Sequence, residues 1–413
     1  SWGAGAAVKS DADGRWAVSV RTPAGSYEPQ RITFASGDRV TFDRVLIGEV
    51  WFAGGQSNME MPLGGFWQCP VTDANEIIAR ASAKSGKLHY VKIPHAAAYT
   101  PQDRTAGSWT PCTTATAAKF TAAGYFFAEM LNDVLSVPVG IIDCSWGGSR
   151  VESWMSREVL SGYSDIDLTE EGISRVAQHL RPMVMYNAML RPVAGYTVRG
   201  FLWYQGESNV GRYMDYAARL ADMVSLWRGL WAQDDLPFYY VEIAPFEYGN
   251  GKSPYLREAQ CRAQELIPNS GMICTNDLVE PYEFCNVHPK NKRDVGYRLA
   301  FMALNKTYGM REIACQSPQY ESMEIRDGKA RIRFKYMDQG FNRMADIRGF
   351  EICGADKIFY PADAVVENQF ALVVSSEKVP EPVAVRYCFR DFQPGNLADT
   401  RELPVVPFRT DDF

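Results

Sequence analysis

Histidine is scarce in this chain: among 413 residues there are only His89, His95, His179 and His288. No HExxH occurs, and no His/Cys pair has ligand spacing, which argues against structural or catalytic zinc. Nine cysteines are scattered without one CxxC pair, so a zinc ribbon or redox motif is not expected. An odd count leaves at least one cysteine outside any intramolecular disulfide, and the compartment stays open. No apolar run reaches 18 residues, so no membrane span is expected. Lys and Arg number 43 against 49 Asp and Glu, a net charge of −6, and no basic run stands out. Nucleic acid is therefore not an expected partner. Internal repeats and low-complexity segments are missing too. The chain opens "SWGAGAAVKSDADGRW", without an initiator Met or an apolar leader. It reads like the middle of a β-domain, so the native N-terminus is expected to lie outside it.

What is present is an ordinary globular balance, with 46% hydrophobic and 22% charged residues, and a somewhat rich 13% of aromatics. The length suggests two or three units. Residues 1–47 read as a partial β-domain: "GRWAVSVRTP" alternates apolar and polar residues, and "QRITFASGDRVTFDRVLIG" contains two more such runs. From 48 to 310, short apolar runs such as "VLIGEVWFAGG", "VPVGIIDCSW", "VRGFLWYQG", "LPFYYVEIAP" and "GMICTNDL" alternate with helical stretches such as "AAGYFFAEMLNDVL". This pattern predicts an α/β unit with a mostly parallel sheet. From 311 to 413 the helical period fades into short strands, which predicts a small β-sandwich-like domain.

Ligands in open α/β sheets bind beyond the carboxyl ends of the strands, and the polar motifs fall there. "GGQSNME" places Ser57 just past an apolar strand, where a serine needs a base within hydrogen-bond reach to act as a nucleophile. His288, in "CNVHPKNKRDVGYRLA", sits on a loop between a strand and a helix, suited either to acid–base work or to plain solvent exposure. His89 reads as a strand residue, His95 as structural and His179 as a helix end. "DCSWGGSRVESW" carries Gly147 and Gly148, whose backbone N–H groups can approach an anion. "FLWYQGESN" carries Gln205, Glu207 and Asn209. Either stretch alone also reads as an ordinary strand-to-helix turn. Phe66 and Trp67, in "MEMPLGGFWQCP", could wall a sugar site or belong to the core.

Taken together, "GGQSNME", "IIDCSWGGSRVESWM", "WYQGESN" and "HPKNKRDVGYRLA" resemble, in the same order and at similar spacing, the sialate O-acetylesterase family, a branch of the SGNH hydrolases. The closing "PVAVRYCFRDF" and "NLADTRELPVVPFRTDDF" resemble that family's terminal β-domain, so the resemblance covers nearly the whole chain. It implies a three-layer α/β/α catalytic domain with small flanking β-domains. It also implies a serine esterase, secreted or periplasmic, that removes acetyl groups from an O-acetylated sugar or glycan and needs no cofactor or metal. By the motif match Ser57 is the nucleophile and His288 the base. The oxyanion hole combines the N–H groups of Ser57 and Gly148, Gly148 being preferred over Gly147, with a side-chain amide, first Gln205 and then Asn209. Glu207 is expected to order its loop.

One departure matters. The family pattern D-x-H-P reads N-x-H-P here, with Asn286 at the acid's place. Asn286 by its carbonyl or side chain is the candidate orienter of His288, with Asp277, Glu280 and Glu283 as local acids. Other acetylated glycans, such as acetyl xylan, remain alternative substrates. A carbohydrate-binding relative without turnover is the reading from a different class.

Overall fold

The computed structural model describes residues 2–413. Its first regular element is a hairpin, β1 (Ser26–Ser36) against β2 (Asp38–Ile47). The alternating run over 14–23, expected as a strand, is not one: among the described residues no strand precedes Ser26. Alternation becomes a strand only where a ladder partner and a buried face exist. Here β1 pairs only with β2 in its sheet, and Trp16, Val18 and Val20 stay exposed.

The central sheet holds β3 (Glu49–Gly55), β4 (Leu88–Lys92), β5 (Thr110–Pro111), β6 (Val139–Ser145), β7 (Gly200–Tyr204), β8 (Phe238–Val241) and β9 (Ser270–Ile273). Their order is β5-β4-β6-β3-β7-β8-β9, parallel throughout except for the edge strand β5. Both faces are covered. Trp51, Ala53, Leu202 and Tyr239 point into one core beside Phe126, Phe127 and Leu299 of the helices Ala122–Leu135 and Arg293–Lys306. Phe52, Phe201, Trp203 and Tyr240 point into the other beside Leu220, Trp227 and Leu256 of the helices Tyr216–Leu230 and Ser253–Leu266. This split of neighbouring residues explains why the strands read as continuous apolar runs: alternate side chains meet different helical layers. The architecture is the expected α/β arrangement with a mostly parallel sheet.

Chain order reverses about β3, which lies between β6 and β7. Gly55 pairs with Ser145 on one side and Tyr204 on the other. The three strands therefore end at one level, and the segments that follow emerge side by side over a single crevice.

The C-terminal part holds two four-stranded antiparallel sheets. One contains β10 (Gln319–Arg326), β11 (Lys329–Lys335), β14 (Asp363–Glu367) and β15 (Ala371–Ser375). The other contains β12 (Phe350–Cys353), β13 (Tyr360–Pro361), β16 (Ala384–Tyr387) and β17 (Phe408–Arg409). A third core, with Ile332, Leu372, Val385 and Tyr387, fills the space between them. Asp391 ties this part to the α/β unit by accepting the N–H groups of Asn250, Gly251 and Ser253. No helix is long and apolar enough to cross a membrane among the described residues.

Gly55 closes β3 at φ +139, and a Cβ there would lie 2.2 Å from the Tyr204 carbonyl oxygen. Gly55→Ala is expected to destabilise the fold by roughly 2 kcal/mol or more, because backbone cannot yield as a flexible side chain does. Thermal unfolding checks this, and an unchanged Tm would refute it.

Candidate active site

Ser57 opens a four-residue helix, Ser57–Glu60, immediately after β3. Its first N–H groups have no intrahelical acceptor, which leaves the Ser57 N–H free for a ligand. Asn58 beside it is fully buried and joins the distant histidine loop. Its Nδ2 donates to the Val287 carbonyl at 2.9 Å and to Glu207 Oε1 at 2.6 Å. Its Oδ1 accepts from Lys292 Nζ at 2.8 Å, and the same ammonium donates to the Pro289 carbonyl at 2.7 Å. Residues on both sides of His288 are thus anchored to the residue after Ser57.

The Lys292–Glu207 pair is enclosed. Burial pushes Lys292 down to about 7, against the pull of Glu207 and Glu283. Burial pushes the Glu207 carboxyl up, opposed by its hydrogen bonds and by Lys292. Glu207 Oε2 is buried without a hydrogen-bond partner.

His288 lies half-buried, and its Nε2 is likewise buried with no hydrogen-bond partner. Burial first, then the Lys292 charge, pushes it down to about 4. The Phe66 ring stands edge-on to the imidazole at 5.3 Å. None of the proposed acids supports the ring. Asp277 is held by Arg298 at 2.7 and 2.6 Å. Glu283 accepts the N–H groups of Glu280 and Lys290. Glu280 lies 3.9 Å from Lys290 Nζ. The expectation for Asn286 needs correction as well: its Oδ1 accepts the backbone N–H of His288 at 3.0 Å and shapes the loop, not the ring nitrogen.

The WGG turn after β6 packs on Ser57. A Cβ on Gly147 would lie 3.4 Å from Ser57 Cβ. The Gly147 N–H is taken by Glu60 Oε2 at 2.7 Å. Gly148 has φ +74, and a Cβ there would strike the His179 ring at 2.8 Å, so a side chain is excluded. Glu60 also holds His95 Nε2 at 2.8 Å and Lys92 Nζ at 3.3 Å. Burial raises the Glu60 carboxyl, but these partners outweigh it and keep it low. His95 in turn stacks on Trp146 at 4.5 Å, while His89 lies in β4 and His179 in a short 3₁₀ turn.

The side-chain amides expected at the oxyanion are committed elsewhere. Gln205 Nε2 donates to the Ser149 carbonyl at 3.0 Å and to Asn209 Oδ1 at 2.7 Å, and its Oε1 accepts from Tyr216 at 2.9 Å. Asn209 Nδ2 donates to Glu152 at 3.0 Å. Both residues are 0% exposed. They brace the WGG turn from behind rather than present an N–H to the crevice. The motif located their segment, but it could not tell a bracing amide from a ligating one. Asn58, Glu60, Cys69 and Lys292, which the sequence reading gave no role, hold the site together. The only signal for Asn58 and Lys292 was their place inside the matched motifs.

Comparison with known proteins shows the family. The profile of a family described as "Carbohydrate esterase, sialic acid-specific acetylesterase" matches residues 47–305. The chain belongs to this carbohydrate esterase family. The sialate O-acetylesterase of Mus musculus is 26% identical over 366 residues, covering 76% of this chain and 66% of that protein. The Homo sapiens protein is 27% identical over 337 residues, covering 76% and 64%. The chain thus spans just under two thirds of the length of these curated relatives. A solved carbohydrate acetylesterase from Xanthomonas citri is 34% identical, with a TM-score of 0.87 over 98% of this chain and 90% of that one. The family match ends within the helix Arg293–Lys306, whereas the structural match extends through the C-terminal sheets.

If His288 is the base of this esterase family site, it must be neutral to accept a proton. Activity is then fully present above its folded value and lost as pH falls through about 4. A kcat/KM profile should stay flat from about pH 6, where Lys292 carries its charge, to about 5 before dropping. Lys292→Met removes the charge that helps hold His288 down, so the acid limb should move upward. A wild-type limb near the ordinary histidine value would contradict the downward shift, and a limb unmoved by His288→Gln in residual activity would contradict the assignment.

Proposed function

We propose that this protein is a serine esterase that removes O-acetyl groups from sugars. One observation carries the reading. A serine at the switch point of a parallel sheet is tied, through Asn58 and Lys292, to a loop whose histidine has a buried and unpartnered Nε2. Such a nitrogen is costly to leave unpaired unless a substrate or nucleophile completes it.

In the proposed reaction His288 Nε2 takes the Ser57 hydroxyl proton as Oγ attacks the acetyl carbonyl. The developing oxyanion is held by the N–H groups of Ser57 and Gly148. Gly148 is favoured because Glu60 already occupies the Gly147 N–H. Collapse transfers the acetyl group to Ser57, and the sugar alkoxide leaves with the proton from His288. Water, deprotonated by the same histidine, then hydrolyses the acetyl-enzyme and frees acetate. No step calls for a cofactor. A base held as low as His288 is a weak proton acceptor, so more of the rate rests on positioning and on the oxyanion donors.

For the substrate, the names of the curated relatives support an O-acetylated sialic acid, and the name of the Xanthomonas citri protein supports an acetylated carbohydrate more broadly. Trp67 is 86% exposed at the tip of the turn that carries Phe66, a placement suited to stacking on a sugar ring. With a net charge of −6 and no basic run, no nucleic-acid role is proposed. A secreted or periplasmic location rests on the family resemblance alone.

The test is acetate release from O-acetylated sialic acid and from acetylated xylan, side by side. The wild type should release acetate from at least one, and Ser57→Ala should lose about 10³-fold or more while still folded. Release from xylan alone would move the substrate and keep the chemistry. Release from neither, by folded protein, would favour a binding-only role.

A further inference from the structure

We propose that the Cys69 thiol is the positioning group of His288, standing where a carboxylate would otherwise orient the ring. The inference rests on the Ser57–His288 chemistry proposed above and deepens it. Cys69 closes a tight turn: Phe66 and Cys69 exchange both backbone N–H···O bonds, each 3.0 Å, with Trp67 and Gln68 at the tip. Phe66 meets the imidazole edge-on, so both ends of the turn bear on one ring. Cys69 Sγ lies 3.4 Å from Asn286 Oδ1 and 3.9 Å from His288 Nδ1. Among the described residues no carboxylate bonds to the ring, as shown above for Asp277, Glu280 and Glu283.

The direction of each bond follows from what each atom can do. Asn286 Oδ1 accepts the backbone N–H of His288, so the atom at that place is the carbonyl oxygen and not the amide nitrogen. An oxygen can only accept, so the nearer contact requires the thiol hydrogen to point at Asn286. Sulfur has one hydrogen to give. Its remaining lone pairs face Nδ1, which must therefore carry the ring proton. Neutral imidazole has one N–H, so Nε2 is left as the bare acceptor, the form a general base needs. A backbone N–H thus sets the Asn286 amide, the amide sets the thiol, and the thiol sets the tautomer. Asn286 acts on the histidine through Cys69.

A neutral thiol can set the tautomer but lacks the full charge that would stabilise an imidazolium. Cys69→Asp supplies that charge. It should keep Nδ1 protonated and move the acid limb of kcat/KM upward from about 4. Cys69→Ala removes both the donor to Asn286 and the acceptor facing Nδ1. It should lower kcat about 10²-fold with little change in KM, since the wrong tautomer is the main loss when a triad acid is replaced. Cys69→Ser, which keeps one donor and lone pairs, should recover most of the loss.

The direct readout is NMR of histidine-labelled protein, with His288 assigned by His288→Gln. The wild type should show the Nδ1–H form at neutral pH, and Cys69→Ala a shift toward Nε2–H. This measurement does not depend on turnover, so it decides the orienting role even if acetate release fails and the esterase reading falls. An Nε2–H form in the wild type overturns the proposal. So does a Cys69→Ala variant with kcat within about twofold of wild type and an unchanged tautomer.

Discussion

A single ammonium group joins the two halves of the site. Lys292 Nζ reaches Asn58 across 234 residues of sequence and Pro289 within its own loop, while Asn58 reaches Glu207 and Val287. A buried charge is costly, and it persists only when its partners are in place. Here they are Glu207, two carbonyl oxygens and the face of Tyr204 at 5.8 Å. Because these partners come from three separate segments, after β3, at the end of β7 and in the histidine loop, the charge is satisfied only when all three sit in one arrangement. The geometry of Ser57 and His288 is set by that condition rather than by a direct bond between them.

The same economy appears around the WGG turn. Glu60 takes the Gly147 N–H, Ser208 Oγ donates to the Gly148 carbonyl and Gln205 donates to the Ser149 carbonyl. The turn is held at successive residues, which leaves the Gly148 N–H as the group not drawn into bracing. Donors held beforehand lose little to reorganisation when charge develops.

The layers of the fold and the segments that meet at the candidate site were legible in the sequence. Ser57, Gly148 and His288 sit in segments that follow strand ends, and a parallel sheet must bring such segments together. The apolar runs and their intervening helical periods were enough for the α/β layers. Contacts that depend on which atom faces which way were not legible. Gln205 and Asn209 lie in the right segment, yet their amides turn inward because Ser149, Glu152 and Tyr216 are buried behind them. Cys69 meets a histidine 219 residues away through a turn whose register no periodicity announces. Alternation over 14–23 misled because it records a capacity for burial, and that segment has no layer to enter.

In the proposed reaction Ser57 carries the acetyl group between sugar and water. Rapid quenching during turnover of an acetylated sugar, followed by mass analysis of the peptide spanning Ser57, tests it most directly. The expected result is a peptide heavier by one acetyl group, localised to Ser57 and lost when turnover is complete. Burst kinetics with the acetyl group on another residue, or turnover in which the peptide from Ser57→Ala protein behaves like wild type, would contradict it.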